Sequence, residues 1–347
     1  MSEYVHNTDL EPDEPYLATL GAVAHVFTFE PLRVLFREHD VEANRKQKTF
    51  TTLGVTSLAL ALAALAGSAI ELLLPSFGYH LLWECVMALE LCAIAAIVIA
   101  LGPVMRRARR HWLIGRYLTE RMRQWVFQML LDGELVSKAE SDPAAFDEIR
   151  STRWAQFKAQ VPTAEGAIPA FVDGARIASF HERTPYANEE LAAKAFQAYV
   201  GLRFAKELAY FKLKYEHFAE RDDWSETLAR STLFGAVILA AAHMGVALGG
   251  SLGMLHDAHQ YGVICAALVI ILTLMSTATR TYRNAIGVSE QRQRYESKWV
   301  RLVALESAFA AATSQRAKLK ILNEVEEILA EELREFLRQM RGTSYVL

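Results

Sequence analysis

Four apolar windows constrain this chain more than any other feature: Thr52 to Leu74, Leu81 to Leu101, Thr232 to Gly250 and Tyr261 to Thr279. Each holds about 19 to 23 residues, which at about 1.5 Å per residue spans the roughly 30 Å hydrocarbon core of a bilayer. In hydrocarbon a single segment must satisfy its own backbone hydrogen bonds, so each window is expected to be helical. One such window could be a buried helix of a soluble protein, but four in two close pairs do not fit that reading. The chain is 52% hydrophobic with a mean hydropathy of +0.11 although 22% of it is charged, so the apolar residues are concentrated and not spread. The expected fold is an all-α membrane protein: two transmembrane helical hairpins with long cytoplasmic helices.

Charge around the windows gives an orientation. The connectors Pro75 to His80 and Ser251 to Gln260 contain no Lys or Arg. The opposite flanks carry Arg45, Lys46 and Lys48, then Arg106, Arg107, Arg109 and Arg110, then Arg230, and finally Arg280 and Arg283. By the positive-inside rule both termini and the central segment are expected in the cytoplasm. Phe77, Tyr79, Trp83 and Tyr261 fall where interfacial anchors belong. Met1 to Asp40 has no basic n-region ahead of an apolar stretch, so the first membrane helix is expected to be its own targeting signal.

The resulting plan is a cytoplasmic helical segment over 1–49, a first hairpin over 50–103, a cytoplasmic helical domain over 104–230, a second hairpin over 231–279 and cytoplasmic helices over 280–347. Within the central domain, helical patterns run from Arg106 to Leu131 and from about Asn188 to Arg230. The stretch between, about 140–187, contains Pro143, Pro162, Gly166, Pro169, Gly174 and Pro185 and reads as short helices and turns. Thr281 to Arg341 reads as one long helix, or two with a break near Thr313 and Ser314. Its end puts Leu322, Val325, Ile328, Leu329, Leu333, Phe336 and Leu337 on one stripe that requires a partner helix.

The halves share one plan, and a detail supports duplication. Small residues recur every fourth position at Ala59, Ala63 and Gly67 in the first window and at Ala241, Gly245 and Gly249 in the third. That spacing lets helix backbones approach closely in lipid. Ionisable groups within the windows are expensive and mark candidate ion paths. Glu90 lies near the middle of the second helix, Glu84 nearer its outer boundary, Glu71 near the outer end of the first helix and His243 near the middle of the third. Either Glu90, with Glu71 or Glu84 at the outer mouth, lines a cation-attracting path when several copies assemble, or Glu90 is protonated or paired with His243 and only fixes helix register while Glu71 and Glu84 reach interfacial water. If a conducting path exists, the first hairpin is expected to line it and the second to brace it.

No catalytic signature is present: no Walker loop, dinucleotide glycine pattern, HExxH or Gly-x-Ser-x-Gly. Cys85, Cys92 and Cys265 lie in apolar windows without metal-ligand spacing, and His111, His181 and His217 are scattered. The run Phe180-His181-Glu182-Arg183 reads as a solvated turn. No enzyme activity, metal or cofactor is expected, and a net charge of −3 argues against nucleic-acid binding.

Two helical motifs flank the hairpins. The first is Trp112-x3-Arg116-x3-Glu120-x2-Arg123-x-Trp125, and the second is Tyr199-x3-Arg203-x3-Glu207-x2-Tyr210-Phe211-x2-Lys214. Their i,i+4 spacing places the aromatic, Arg and acid on one face. Without a further role, these residues would form stalk helices whose aromatics pack on neighbours and whose Arg side chains reach lipid headgroups.

On these motifs the chain resembles the SLATT-type families of bacterial membrane proteins, over Asp40 to Trp125 and Tyr199 to Glu306. The helix after the fourth window has Tyr295, Trp299, Arg301 and Glu306 but not the family spacing. The resemblance implies a multi-pass protein of the bacterial inner membrane. Its implied role is a pore-forming effector of an antiphage or conflict system, triggered by a cytoplasmic activator protein or a nucleotide signal. Lipid and further copies of the chain would be its partners, because four helices are too few to enclose a wide pore alone. The competing expectation is a helical membrane scaffold that docks a cytoplasmic partner.

Overall fold

A computed structural model describes residues 9–74, 83–160, 168, 172, 184–252 and 258–342. Among these residues the chain is helical without strands. The whole first connector, with Phe77 and Tyr79, the central part of the second, and the run Phe180 to Arg183 lie outside the described residues.

Helix α1 (Glu14–Leu20) starts at Asp13, whose side chain accepts from the Tyr16 backbone N–H at 3.1 Å, and ends at Gly21 with φ 58°. A short 3-10 turn over Gly21–Val26 leads to α2 (Glu30–Leu73). Then follow α3 (Trp83–Leu101), α4 (Pro103–Leu130), α5 (Gly133–Ser141) and α6 (Pro143–Gln160). The caps of α5 and of α7 (Glu189–Tyr199) are Asp132 and Asn188, each accepting from a backbone N–H in the first turn. A π-helical turn over Val200–Phe204 joins α7 to α8 (Ala205–Ser251). The chain closes with α9 (Ala258–Ile286), α10 (Val288–Ala311) and α11 (Gln315–Gly342).

The helical stretch expected beyond the fourth window breaks at Ala312 to Ser314, as the sequence indicates, and also at Gly287. Gly287 has φ 64°, a left-handed conformation natural to glycine, and its N–H donates to Asn284 O at 3.2 Å.

Four of these helical stretches are long and apolar enough to cross a membrane: Glu30–Glu71, Trp83–Leu130, Glu189–Ser251 and His259–Ala311. They run 42, 48, 63 and 53 residues. About 20 residues suffice to cross the hydrocarbon core, so each carries a continuation at least as long. Only 6–22% of each most apolar window is buried within the chain. That much uncovered apolar helix requires lipid or other copies around it.

The chain divides into two compact units. The first takes in the described residues of Met1–Lys46, Arg110–Glu216 and Gln293–Gly342. Its core gathers Phe127 and Leu130 of α4 with Leu131 just after it, Phe146 of α6, Ala195 and Tyr199 of α7, and Leu322, Val325, Ile328 and Leu333 of α11. The apolar stripe on α11 thus finds its cover inside this chain. Gly115 of α4 passes so close to α2 that a Cβ there would sit 2.8 Å from the Cβ of Ala43.

The second unit takes in the described residues of Gln47–Arg109 and His217–Arg292, which hold the apolar windows. Ser57 Oγ of α2 donates to Ala96 O of α3 at 2.8 Å, and Ser276 Oγ of α9 donates to Ala229 O of α8 at 2.9 Å. Gly67 receives the Leu89 side chain, whose Cδ2 would lie 2.2 Å from a Cβ. In each apolar helix pair a buried hydroxyl thus bonds to the neighbouring helix's backbone.

Candidate functional site

The polar chemistry of this protein is concentrated in the first unit, where the two sequence motifs meet. Within α4, Arg116 lies 3.0 Å from Glu120 and Arg123 donates to Glu120 at 2.8 Å, so i,i+4 and i,i+3 spacing pre-assembles the acid between two guanidiniums. Arg203 and Glu207 form the equivalent i,i+4 pair at 2.9 Å across the π-turn and the start of α8.

The motifs then exchange partners. Arg123 Nη2 donates to Glu207 Oε1 at 2.8 Å, while Arg203 Nη1 lies 3.9 Å from Glu120 Oε2. Each motif's acid thus faces an arginine of the other motif.

Two further elements complete the cluster. Asp9, ahead of α1, accepts from Arg123 Nε at 2.7 Å. Glu326 of α11 accepts from Tyr199 Oη at 2.7 Å and from Arg203 Nε at 3.3 Å. Phe127 covers the cluster, with the Arg203 guanidinium 5.3 Å from its ring centre and Tyr199 edge-on at 5.6 Å. Asp9, Arg203 and Glu326 have 0% exposure. One oxygen each of Asp9 and Glu326, and Nη2 of Arg203, have no protein partner.

A second layer lies alongside. Arg294 of α10 donates to Gln339 at 3.0 Å and lies 3.9 Å from Glu332. Trp112 packs edge-on against Phe336 at 5.4 Å, and Tyr210 meets Tyr295 at 6.2 Å.

These groups sit on the polar continuations, outside the apolar windows, and burial shapes their titration. Burial raises the carboxyl of Glu207 above its ordinary range despite Arg123 and Arg203, and burial likewise raises Glu332. Burial, with Glu326 next to it, pushes the Tyr199 phenol well up, so its hydroxyl remains a donor. Charge taken this far from water is costly, and each partner removed leaves part of that cost uncompensated. The cluster therefore acts as an ionic lock among the N-terminal segment, α4, the α7–α8 turn and α11.

No protein-family model matches this chain, and no curated protein or solved structure does.

Arg116, Glu120, Tyr199, Arg203 and Glu207 meet in the cluster, whereas Trp112 packs against Phe336 in the layer alongside. Arg116, Arg123 and Arg203 point into protein, which corrects the expectation that the motif arginines reach lipid headgroups. The apolar helices give a different picture. Glu84 and Glu90 are exposed on α3, Glu71 is half-buried on α2, and none of the three has a hydrogen bond or ion pair among the described residues. His243 Nδ1 lies 2.9 Å from Gly262 O, and no bond joins it to Glu90. Of the small-residue positions, Gly67 makes a close contact, Gly249 is half-buried, and Ala59, Ala63, Ala241 and Gly245 are exposed, Gly245 having nothing near its missing Cβ.

Asp9, Glu326, Glu332 and Arg294 are the members sequence reasoning missed. Glu326 and Glu332 lie within the apolar stripe of α11, and an acid in such a stripe is a detectable signal. Asp9 has no periodic context that would single it out.

Proposed function

We propose that this chain is an oligomeric, channel-like membrane effector of the SLATT type, with two hairpins entering a bacterial inner membrane from the cytoplasm. In this reading the first unit and both termini are cytoplasmic. A cytoplasmic activator protein or a nucleotide signal acts on the ionic lock, and α4 and α8 carry the change, because α4 follows directly on the second apolar window and α8 itself continues into the third.

The observation that carries the reading is Glu90. A carboxyl near mid-membrane on an exposed helix face, with no partner among the described residues, costs at least a few kcal/mol in lipid. Water or another copy must cover it, and a ring of such carboxyls attracts cations. The exposed faces of Ala59, Ala63, Ala241 and Gly245 offer close-approach surfaces for those copies.

A scaffold docking its partner through Leu322, Ile328 and Leu329 is less well supported, since those side chains are buried within the chain.

The test is the reversal potential across planar bilayers containing the purified full chain under a salt gradient. Cation selectivity that falls several-fold in Glu90→Gln is the expected result. Bilayers that stay silent with wild type, with and without candidate nucleotides, would overturn the proposal.

A further inference from the structure

A cleft of about 250 Å³ opens in the second unit between α8 and α9, lined by Glu226, Ala229, Arg230, Arg280, Arg283 and Asn284. It sits where two apolar windows end: Thr232 begins one and Thr279 ends the other. The floor is fixed, because Ser276 donates to Ala229 O there. Three guanidiniums converge on it with different obligations. Arg283 is taken up by Asp222 and Glu226, each at 2.7 Å, and Arg230 pairs with Glu226. Arg280 is exposed and has no hydrogen-bond or ion-pair partner among the described residues. Asn284, one turn further along α9, adds an exposed amide on the same face.

We infer that this cleft binds the phosphate of an anionic lipid headgroup. The chemistry it offers is an uncommitted guanidinium, an amide donor and a second guanidinium, Arg230, that is shared with Glu226, and these suit a phosphate oxygen set. A soluble phosphate has the same chemistry, but the position favours lipid. Directly on the apolar side of the cleft Leu233, Phe234 and Val237 of α8 are exposed at 39%, 68% and 59%, a surface for acyl chains below a headgroup. Glu226 opposes the anion. It balances Arg230 and Arg283, so its removal should strengthen the site, whereas removal of Arg280 should weaken it.

This inference rests on α8 and α9 crossing a membrane, which is checked separately by whether alkaline carbonate leaves the chain in the liposome pellet. A chain that washes off would overturn both readings. Native mass spectrometry of the full chain in detergent, with phosphatidylglycerol or phosphatidylcholine of identical acyl chains, tests the site itself. Wild type should retain phosphatidylglycerol preferentially, Arg280→Gln should weaken that retention about tenfold, and Glu226→Gln should strengthen it. Arg280 is exposed and unpaired, so its replacement leaves the fold intact. Equal retention of the two lipids, or an Arg280→Gln variant that binds as wild type does, would overturn the headgroup site alone. Displacement of phosphatidylglycerol by millimolar inorganic phosphate would overturn the lipid assignment.

Discussion

Arg123 is the side chain whose loss leaves the most charge stranded, since Asp9, Glu120 and Glu207 all bond to it out of reach of water. Arg123→Ala should lower the unfolding free energy by about 3–5 kcal/mol, the range for breaking a buried pair. Arg301→Ala, which breaks an exposed pair with Glu331, should cost under about 1 kcal/mol. Denaturant titration followed by circular dichroism compares the two. Glu207 adds a pH dependence. Its folded pKa lies above the unfolded value, so the folded chain holds the proton more tightly. The stabilisation is complete below about pH 4.3, the unfolded value, and is lost as pH rises through the folded pKa. Asp222, Glu226 and Glu331 shift downward and act oppositely, so the useful quantity is the difference between wild type and Glu207→Gln. That difference should move in favour of Glu207→Gln as pH is raised from 4 toward neutrality. The i,i+4 spacing of Arg116 with Glu120 and of Arg203 with Glu207 was legible because intrahelical pairs depend on spacing alone. Their exchange of partners was not, because spacing does not say which helices touch.

At the scale of elements, the apolar windows and the α11 stripe were legible because burial and lipid impose strong periodic or continuous apolar patterns. The π-turn over Val200–Phe204 was not, since the pattern there reads as uninterrupted helix. It brings the successive residues Leu202, Arg203 and Phe204 all into the interior, an accommodation a regular helix makes poorly. The break at Gly287 was equally hidden, because a single glycine in a helical pattern is ambiguous until its φ is known. Close approach of α2 and α4 depends on Gly115 meeting Ala43. Gly115→Leu should force these helices apart and cost about 1–3 kcal/mol, lowering the midpoint of thermal unfolding measured in detergent. A midpoint equal to that of wild type would show that α2 and α4 do not pack this closely.

For the whole molecule, the reading joins a buried ionic lock to helices long enough to run on into a membrane. Asp9 is the part of the lock best suited to a switch. It comes from the N-terminal segment, and it contributes one charge to a guanidinium that Glu120 and Glu207 would still hold. Asp9→Asn should therefore loosen the lock while leaving the chain folded. The most direct measurement is cation flux from liposomes containing the full chain, wild type against Asp9→Asn, with circular dichroism confirming equal helix content. A flux several-fold faster in Asp9→Asn, suppressed again when Glu90→Gln is added, is the predicted result. Flux from the folded Asp9→Asn protein no faster than from wild type would contradict a lock that gates a conducting path.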